Sequence, residues 1–529
     1  YIPRGVIPTL KQLAAPAFDA QHKYFVDGSP ITGDVDLGTG TVSDSGSATP
    51  NWRTMLVGTL GNGGKGYFVL DVTNPGSFNT TNAQSIVTLD RTRGATEAAP
   101  DCSAMTNSTQ KTLCVLTEDE DKDVGHITAA PVLDPNNAMR TTQITRMNDN
   151  RWAVVMGNGY NSVNGRPVLL IQYLDKEREL VRIPVTNDQP GTGKAADNGL
   201  SAPRLVDLNS DGRPDIAYAG DNLGNLWKFD LTSDTASDWK VAFGGEPLFT
   251  AKGPASLGNA SREQKQPITA APTALANNRS MTIGTGLNAK TVKVGGMMVA
   301  FGTGRNVTQA DTNNVAVQTL YSVLDNTRYL RVTSSKGNNR LQVHPGDSNI
   351  NIPVPKALGT GVTAAGLIQQ SITETTFTDL EGNFGSLSQN TLDWAEKNGW
   401  YMDLPAVGER LLKNMEFYDG SNILSIYSQV PAKGSNVDTT VESCESTSVD
   451  EERQYRTFIN IMDGAPPSIQ LMDIMKAYSI SRRQVLKGSH SLITGKKENF
   501  DVPSDPDSNP EKLRLVPEQS LRPSWRQLR

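Results

Sequence analysis

One eight-residue segment occurs three times in the chain, as ITAAPVLD at 127–134, LSAPRLVD at 200–207 and ITAAPTAL at 268–275. Each repeat segment is followed by an apolar strand that ends in glycine and then by a second apolar strand. The prolines of the segments are Pro131, Pro203 and Pro272. Their spacing gives a period of roughly 70 residues, which is too long for a solenoid repeat but suits one four-stranded blade of a β-propeller with extended loops. At this period the chain of 529 residues holds about seven blades.

Short apolar segments also recur outside the repeats, between clusters of Gly, Asn, Asp and Pro, for example TMLVGTL at 54–60, RWAVVMG at 151–157 and NLWKFDL at 225–231. Such segments are typical of β-strands. Helical periodicity is confined to residues 8–15 and 468–478. The sequence therefore predicts an all-β fold, a seven-bladed β-propeller with long inserted loops. The alternative is a sandwich of unrelated hairpins.

We expect one propeller domain over residues 1–529 that is the C-terminal part of a longer protein, because the chain opens with YIPRG and has no initiator Met. Polar insertions are predicted at 95–125, 186–198 and 434–453. Residues 480–529 are rich in Pro and charge, and we expect them to form an irregular tail that closes or decorates the propeller.

Composition excludes several classes of function. There are 50 Lys and Arg against 56 Asp and Glu, which gives a net charge of −6 and no basic excess for binding nucleic acid. No apolar run is long enough to span a bilayer, since the longest are short stretches such as Met297–Phe301. The three cysteines match no zinc spacing and the four histidines are scattered. We therefore expect any metal to be bound by oxygen.

The segment DLNSDGRPD at 207–215 is the most specific candidate metal-binding motif in the sequence. It places oxygen-bearing side chains at loop positions 1, 3, 5 and 9 and Gly212 at position 6, where a calcium loop needs a sharp bend. The predicted ligands are the side chains of Asp207, Asn209, Asp211 and Asp215 and the carbonyl of Arg213. Position 12, a bidentate Glu in an EF-hand, is Tyr218 within a predicted strand, so the loop would join two strands of a blade. The alternative is a Gly- and Asx-rich turn that binds nothing.

No other group of residues in the sequence forms an equally specific metal-binding or catalytic motif. The acidic run at 118–123 lacks the calcium spacing and is interpreted as a solvated surface loop. No nucleophile motif such as G-x-S-x-G occurs, and His126 is interpreted as structural, so no catalytic residue is predicted. Trp52, Trp152 and Trp227 lie in strand patterns and are interpreted as packing between blades rather than as a ligand cage.

Several stretches together resemble the C-terminal domain of the PilY family, namely the opening YIPRGVIPTLKQL, WRTMLVGTLGNGGKGYFVLDVTNP at 52–75, WAVVMGNGYNS at 152–162, DLNSDGRPDIAYAGDNLGNLWKFDL at 207–231 and RPSWRQL at 522–528. The resemblance runs in the same order from Tyr1 to Arg529. It departs from the family pattern around Cys444 and from Ala465 to Lys512.

The resemblance implies a type IV pilus biogenesis factor and pilus-tip-associated adhesin. It implies a modified seven-bladed propeller with one Ca²⁺ in the loop at 207–215, and a role in supporting pilus extension by opposing retraction. Because Asp207, Asp211 and Asp215 repel each other until an ion draws them together, we also expect calcium occupancy to act as a switch. The implied partners are major and minor pilins, the pilus tip and a host-cell surface. The implied location is the cell surface, reached through the periplasm and outer membrane. That oxidising location predicts a disulfide between Cys102 and Cys114 and leaves Cys444 as a free thiol.

Two other functions are compatible with the sequence. One is a pyrroloquinoline-quinone-dependent dehydrogenase, because blades such as GNLWKFDL resemble those of that propeller family. The adjacent cysteine pair and regular tryptophan repeats of those enzymes do not occur in this chain. The other is a surface adhesin module that has no link to the pilus motor.

Overall fold

The computed structural model describes residues 1–15, 23–43, 46–94, 100–134, 137–185, 198–345, 366–378, 380–432, 452–473, 479–486, 488–504 and 508–516. The predicted all-β class is confirmed to the extent that the chain consists mostly of β-strands. The first six strands are β1 (Ile31–Asp36), β2 (Thr39–Ser43), β3 (Gly46–Thr49), β4 (Trp52–Thr59), β5 (Tyr67–Asp71) and β6 (Val87–Asp90). The first sheet has the order β1-β4-β5-β6, and β2 and β3 form a separate hairpin.

The next strands along the chain form the second and third sheets and two separate pairs. The strands are β7 (Leu133–Asp134), β8 (Asn137–Thr141), β9 (Ile144–Arg146), β10 (Trp152–Gly157), β11 (Val168–Tyr173), β12 (Leu180–Pro184), β13 (Arg204–Val206), β14 (Ile216–Gly220), β15 (Asn225–Asp230), β16 (Lys240–Val241), β17 (Phe249–Thr250), β18 (Lys252–Pro254) and β19 (Arg262–Lys265). The second sheet is β12-β11-β10-β9, and the third is β13-β14-β15-β16 with β17 also paired to β15. The pairs β7-β8 and β18-β19 are two-stranded.

The fourth and later sheets contain the remaining strands β20 (Thr273–Ala276), β21 (Ser280–Ile283), β22 (Lys290–Lys293), β23 (Met297–Gly302), β24 (Thr319–Asp325), β25 (Tyr329–Thr333), β26 (Asn339–Val343), β27 (Ile368–Gln370), β28 (Ile372–Phe377), β29 (Leu380–Leu387), β30 (Gly399–Asp403), β31 (Glu416–Tyr418), β32 (Ile423–Val430), β33 (Arg453–Asn460), β34 (Arg482–Val485), β35 (His490–Thr494), β36 (Glu498–Pro503) and β37 (Glu511–Arg514). The fourth sheet is β20-β23-β24-β30-β27, the fifth is β28-β29-β34-β33-β32-β31 and the sixth is β35-β36-β37. The pairs β21-β22 and β25-β26 are hairpins.

Neighbouring sheets pack face to face. In β10, Val154 packs in an apolar cluster with residues of the first sheet, whereas Val155 packs in a cluster with residues of the third sheet. This alternation follows from the two-residue period of a strand, which points successive side chains to opposite faces. The second sheet is therefore covered on both faces, and each residue of β11 is buried.

The three repeat segments meet in space. Val132, Ala202 and Ala271, one from each repeat segment, form a small buried cluster. The guanidinium of Arg204 in the second segment donates to the carbonyl of Pro272 in the third, at 3.0 Å. Segments about 70 residues apart in sequence can adjoin in this way when successive sheets are arranged about a common centre, as in a propeller.

The glycine that ends a strand is required where a repeat segment passes close to it. A Cβ atom at Gly157, the last residue of β10, would lie 2.0 Å from the backbone oxygen of Ser201 in the second repeat segment. A side chain at this position would therefore push the second and third sheets apart. A glycine ends this strand because the strand and the repeat segment converge here.

Three expectations about irregular and helical regions are corrected. The acidic run is not a loop, because Glu118–Asp121 ends the helix α2 (Ser108–Asp121) inside the predicted insertion 95–125. Its carboxylates pair with Arg91, Arg93 and Arg182 on the neighbouring strands and turns, which stabilises a helix that lacks strong apolar periodicity. The other α-helices are α1 (Ala83–Ile86) and α3 (Gln309–Thr312).

The first predicted helix, at residues 8–15, overlaps a 3₁₀ helix over Arg4–Ala14, and the described part of 468–478 contains no helix. Shorter 3₁₀ turns lie at Gly61–Gly63, Pro75–Ser77, Thr80–Asn82, Cys102–Ala104, Ala236–Asp238, Phe243–Gly245 and Gly286–Asn288. The described part of the predicted irregular tail 480–529 instead forms β34 to β37, whose buried residues include Leu513 but also the polar Asn499 and Asp501. Residues 186–197 and 433–451, from the other two predicted insertions, lie outside the described residues.

Candidate metal centre

The loop 207–215 connects β13 to β14, as the calcium-loop pattern predicts. Val206 and Ile216 are paired in the antiparallel ladder, so the segment between them forms one hairpin connection. The backbone N–H of Asp215 closes the loop by donating to the carbonyl of Val206 at 2.9 Å. The third sheet therefore holds both ends of the loop at a fixed separation.

Asp207 organises the first half of the loop. Its Oδ1 accepts the backbone N–H of Ser210 at 2.6 Å, and its Oδ2 accepts that of Gly212 at 2.7 Å. Ser210 and Gly212 both have positive φ angles, 62° and 84°, and this backbone region is least strained for glycine. An Asp at position 1 and a Gly at position 6 thus produce the bend that the spacing predicts.

Two buried oxygens of the loop, Asn209 Oδ1 and Asp215 Oδ1, have no hydrogen-bond partner among the described residues. The other oxygen of Asp215 accepts the N–H of Leu208 at 2.8 Å. Burial raises the pKa of Asp215 to about 7, and the nearby carboxylates of Asp207 and Asp211 add to this rise. A buried oxygen without a donor is unfavourable, so these two atoms mark a place where an oxygen-seeking cation would fit.

Asp211 has a different partner from the one that the sequence suggests. Its Oδ1 accepts the backbone N–H of Arg213 at 3.0 Å, and its Oδ2 accepts the Arg213 guanidinium at 2.8 Å. Sequence reasoning assigned a role only to the carbonyl of Arg213. The buried guanidinium of Arg213 is thus an electrostatic partner of one predicted ligand.

The five predicted ligands are brought into one loop, but their carboxylates do not converge. In the part of the chain that the structure describes, no three Asp, Glu, His or Cys side chains lie close enough together to hold a metal ion. The carboxylates of Asp207 and Asp211 turn instead toward backbone N–H groups and Arg213. Binding of an ion by all predicted ligands therefore requires a rearrangement of these side chains.

A turn of the second sheet, residues 147–151 between β9 and β10, packs against the loop. The side-chain amide of Asn148 donates to the carbonyls of Pro214 and Leu231, at 3.0 and 2.9 Å. Arg213 donates to Asn150 Oδ1 at 3.2 Å. Sequence reasoning missed this support, because nothing in the segment MNDNR marks it as a neighbour of a loop that lies much further along the chain.

The other residues singled out from the sequence have structural surroundings. Cys102 and Cys114 form the predicted disulfide, whereas Cys444 lies outside the described residues. His126 is buried, and its Nδ1 lies 2.8 Å from the carbonyl oxygen of Gly61. Trp52 and Trp152 contact each other edge to face across the first and second sheets, as predicted for packing between blades.

Comparisons with known proteins agree with this fold. Residues 108–343 match the family model of the PilY1 beta-propeller domain. The chain is 29% identical over 447 residues to the type IV pilus biogenesis factor PilY1 of Pseudomonas aeruginosa, which covers 78% of this chain and 30% of that protein. It is 28% identical over 418 residues to a type IV pilus biogenesis factor PilY1 homolog of Xylella fastidiosa, which covers 77% of this chain and 21% of that protein.

A solved structure is similar as well. The crystal structure of the Pseudomonas aeruginosa PilY1 C-terminal domain matches with a TM-score of 0.60 and 24% identity, over 97% of this chain and 87% of that chain. The fold is therefore that of a β-propeller domain. The resemblance to the C-terminal domain of the PilY family is confirmed. The chain spans about 30% of the length of its Pseudomonas aeruginosa relative, and no helix among the described residues is long and apolar enough to cross a membrane.

Proposed function

We propose that this chain is the propeller part of a type IV pilus biogenesis factor that is not an enzyme. Its similarity to PilY1 proteins over more than three quarters of its length supports this role. We also propose that the sheets are the blades of a modified seven-bladed propeller. The regular spacing of the three repeat segments and the contact among them support a radial arrangement.

We infer that the loop 207–215 binds one Ca²⁺. The observation that carries this proposal is the pair of buried, unpartnered oxygens, Asn209 Oδ1 and Asp215 Oδ1, inside a loop with calcium spacing. Calcium prefers six to eight oxygen ligands, and such a hard cation would satisfy both atoms. Asp207, Asp211 and the carbonyl of Arg213 would complete the protein ligands.

We further propose that calcium occupancy acts as a switch that supports pilus extension by opposing retraction. In the structure, Asp207 accepts backbone N–H groups and Asp211 accepts the Arg213 guanidinium. Ion binding would draw these carboxylates inward and release the Arg213 guanidinium from Asp211. With a dissociation constant near micromolar, millimolar calcium would stabilise the bound form by about 4 kcal/mol. That is enough to change the surface of one blade but too little to create the fold.

The proposed location is the cell surface or pilus tip, and the proposed partners are major and minor pilins, with a host-cell surface as a further one. The Cys102–Cys114 disulfide supports an oxidising compartment.

Calorimetry tests the metal site directly. We expect one Ca²⁺ per chain for the wild type and no detectable binding for Asp211→Ala, because the variant lacks one of three anionic ligands. Glu263→Ala is the matched control, since it removes a carboxylate that is 75% exposed and lies outside the loop. An unchanged affinity in Asp211→Ala would place the ligands elsewhere.

The switch is tested in cells that carry Asp211→Ala in the full-length protein. We expect fewer surface pili than in cells with the wild-type protein, and recovery of pili when the retraction ATPase is also deleted. If the variant loses calcium but pilus number and retraction remain normal, the ion is a structural clip and the switch is refuted.

A further inference from the structure

A solvent-open groove of about 740 Å³ lies between the first and second sheets. Its lining includes Trp52 and Trp152, the first residues of β4 and β10. The two indole rings meet edge to face with centroids 5.8 Å apart, so each fixes the orientation of the other. Trp52 is nevertheless 58% exposed. A large aromatic side chain that is both held in place and open to solvent at a cavity is typical of a ligand platform.

Two ion pairs border the platform. Arg53 lies 3.6 Å from Asp71 on the first sheet, with the two side chains 41% and 18% exposed. On the second sheet, Arg151 donates two hydrogen bonds to Asp175, at 2.7 and 3.2 Å, and its guanidinium stacks 3.4 Å from the ring centre of Tyr173. A carboxylate accepts up to four hydrogen bonds and a guanidinium donates five, so both pairs keep capacity for a further polar ligand.

The net charge of the groove walls is too small to select strongly for an ionic ligand. Among the described residues, five basic and four acidic side chains line the groove, so the net charge of these side chains is close to zero. Trp52 and Trp152 themselves lie on inner strands, because β4 lies between β1 and β5, and β10 lies between β9 and β11. A peptide strand would therefore pair with an edge strand such as β1 or β9, which reach the groove at Asp36 and Arg146, rather than with the strands that carry the indoles. The ligand must instead offer an apolar face to the indole and neutral groups that both donate and accept hydrogen bonds.

A sugar ring has this combination. Its axial C–H groups form an apolar face, and its hydroxyls donate to carboxylates and accept from guanidinium groups. We propose that the groove binds a neutral saccharide, with one ring stacked on the exposed indole of Trp52 and its hydroxyls bonded to Asp71 and Arg53 on one side and to Asp175 on the other. This inference is independent of the calcium loop and of the proposed role in pilus biogenesis.

The test probes the 529-residue chain with an array of neutral, sialylated and sulfated oligosaccharides, and then measures the best neutral binder by calorimetry. We expect retention of at least one neutral oligosaccharide and a loss of affinity of tenfold or more in Trp52→Ala. The thermal midpoint should change little, because more than half of this side chain is exposed. Phe78→Ala is the matched control, since Phe78 is 49% exposed, lies outside the groove and should leave binding unchanged.

Arg53→Ala serves as a second variant if Trp52→Ala does not fold, and it should weaken binding several-fold. The proposal is overturned if no neutral oligosaccharide is retained, if only acidic ones are, or if binding survives both substitutions. It is also overturned if a displayed peptide library yields ligands that depend on Trp52 while the neutral oligosaccharides do not bind, because the groove would then be a peptide site.

Discussion

Two buried carboxylates of this protein illustrate how local partners decide whether a charge is stable. Asp123 has a fully buried side chain, and it accepts hydrogen bonds from Arg166 and Arg182, at 2.9 and 2.8 Å. Burial alone would raise its pKa, but the hydrogen bonds and charges of its partners, Arg166 first, lower the pKa below the ordinary value. Asp215 is subject to burial and to the repulsion of Asp207 and Asp211, and its pKa is raised. The charge of the first carboxylate is thus stabilised by its partners, whereas burial and repulsion disfavour the charge of the second.

Asp123→Asn should lower the free energy of unfolding at neutral pH by about 3 kcal/mol, because it removes the charge opposite two arginines. The folded-state pKa of Asp123 lies below its unfolded value, so its contribution is fully present above about pH 4 and is lost as the pH falls through the folded pKa. Denaturant titrations of wild type and variant should therefore differ at neutral pH and converge in acid.

Asp119→Asn is the control for this prediction. Asp119 also contacts Arg182 at 2.9 Å, but its side chain is 57% exposed, so its loss should cost less than about 1 kcal/mol. The prediction is wrong if the two substitutions destabilise the protein equally. It is also wrong if the difference in unfolding free energy between the wild type and Asp123→Asn grows as the pH falls.

At the scale of elements, the loop between β13 and β14 depends on the sheet beside it. Asn148 of the second sheet is fully buried and holds the carbonyls of Pro214 and Leu231, at the two ends of the third sheet's central hairpin. The carbonyl of Asn148 in turn accepts hydrogen bonds from the guanidinium of Arg340, at 2.7 and 3.1 Å. The loop is therefore supported by an element that precedes it and one that follows it in the chain.

Asn148→Ala should loosen the loop 207–215. The substitution removes a buried donor from two carbonyls and should destabilise this region by about 1–3 kcal/mol. Hydrogen exchange followed by mass spectrometry should show faster exchange in residues 207–215 and unchanged exchange in the first sheet.

Asn259→Ala provides the comparison, because the side chain of Asn259 accepts a local N–H, from Ser261, in an exposed loop. Unchanged exchange of 207–215 in Asn148→Ala would mean that the third sheet alone shapes the loop.

At the scale of the whole molecule, a buried polar contact spans each successive pair of sheets from the first to the fifth. The contacts are Tyr67 Oη to Gln172 Oε1 at 2.8 Å, Asn148 Nδ2 to Leu231 O at 2.9 Å, Tyr218 Oη to Asp325 Oδ2 at 2.5 Å and Trp400 Nε1 to the carbonyl of Ile461 at 3.0 Å. Each contact satisfies a polar group inside an apolar interface, so it favours one relative placement of the two sheets over others.

The junction between the third and fourth sheets also contains an ion pair. Lys228 of the third sheet lies 2.5 Å from Asp325 of the fourth, and both side chains are 2% exposed. The charge of Lys228 lowers the pKa of Asp325 against the opposing effect of burial. Asp325→Asn should reduce the free energy of unfolding by about 3–5 kcal/mol, because it leaves the ammonium buried without its counter-charge.

The double variant Lys228→Met with Asp325→Leu should be destabilised less than Asp325→Asn alone, because no buried charge remains. Chemical denaturation of the two variants and the wild type measures this difference. A double variant that is less stable than the single one would show that the pair contributes mainly through its hydrogen bonds to Tyr218 and Thr327.

The sequence by itself determined what depends on neighbours along the chain. Strand-like segments, the repeat segments and the calcium spacing of 207–215 are local patterns, and the structure contains strands and a tight loop at those positions. The interpretation of the acidic run as a loop is wrong, because helix α2 is stabilised by ion pairs with Arg91, Arg93 and Arg182 rather than by an apolar face.

Only the tertiary structure decided how these pieces meet. The cluster of the repeat segments, the support of the loop by Asn148 and the groove beside Trp52 each join residues that are distant in sequence. The raised pKa of Asp215 depends first on burial, which the spacing of carboxylates does not encode. Local spacing sets which groups a loop can offer, but packing sets how far those groups are removed from water, and that decides which charges need a partner.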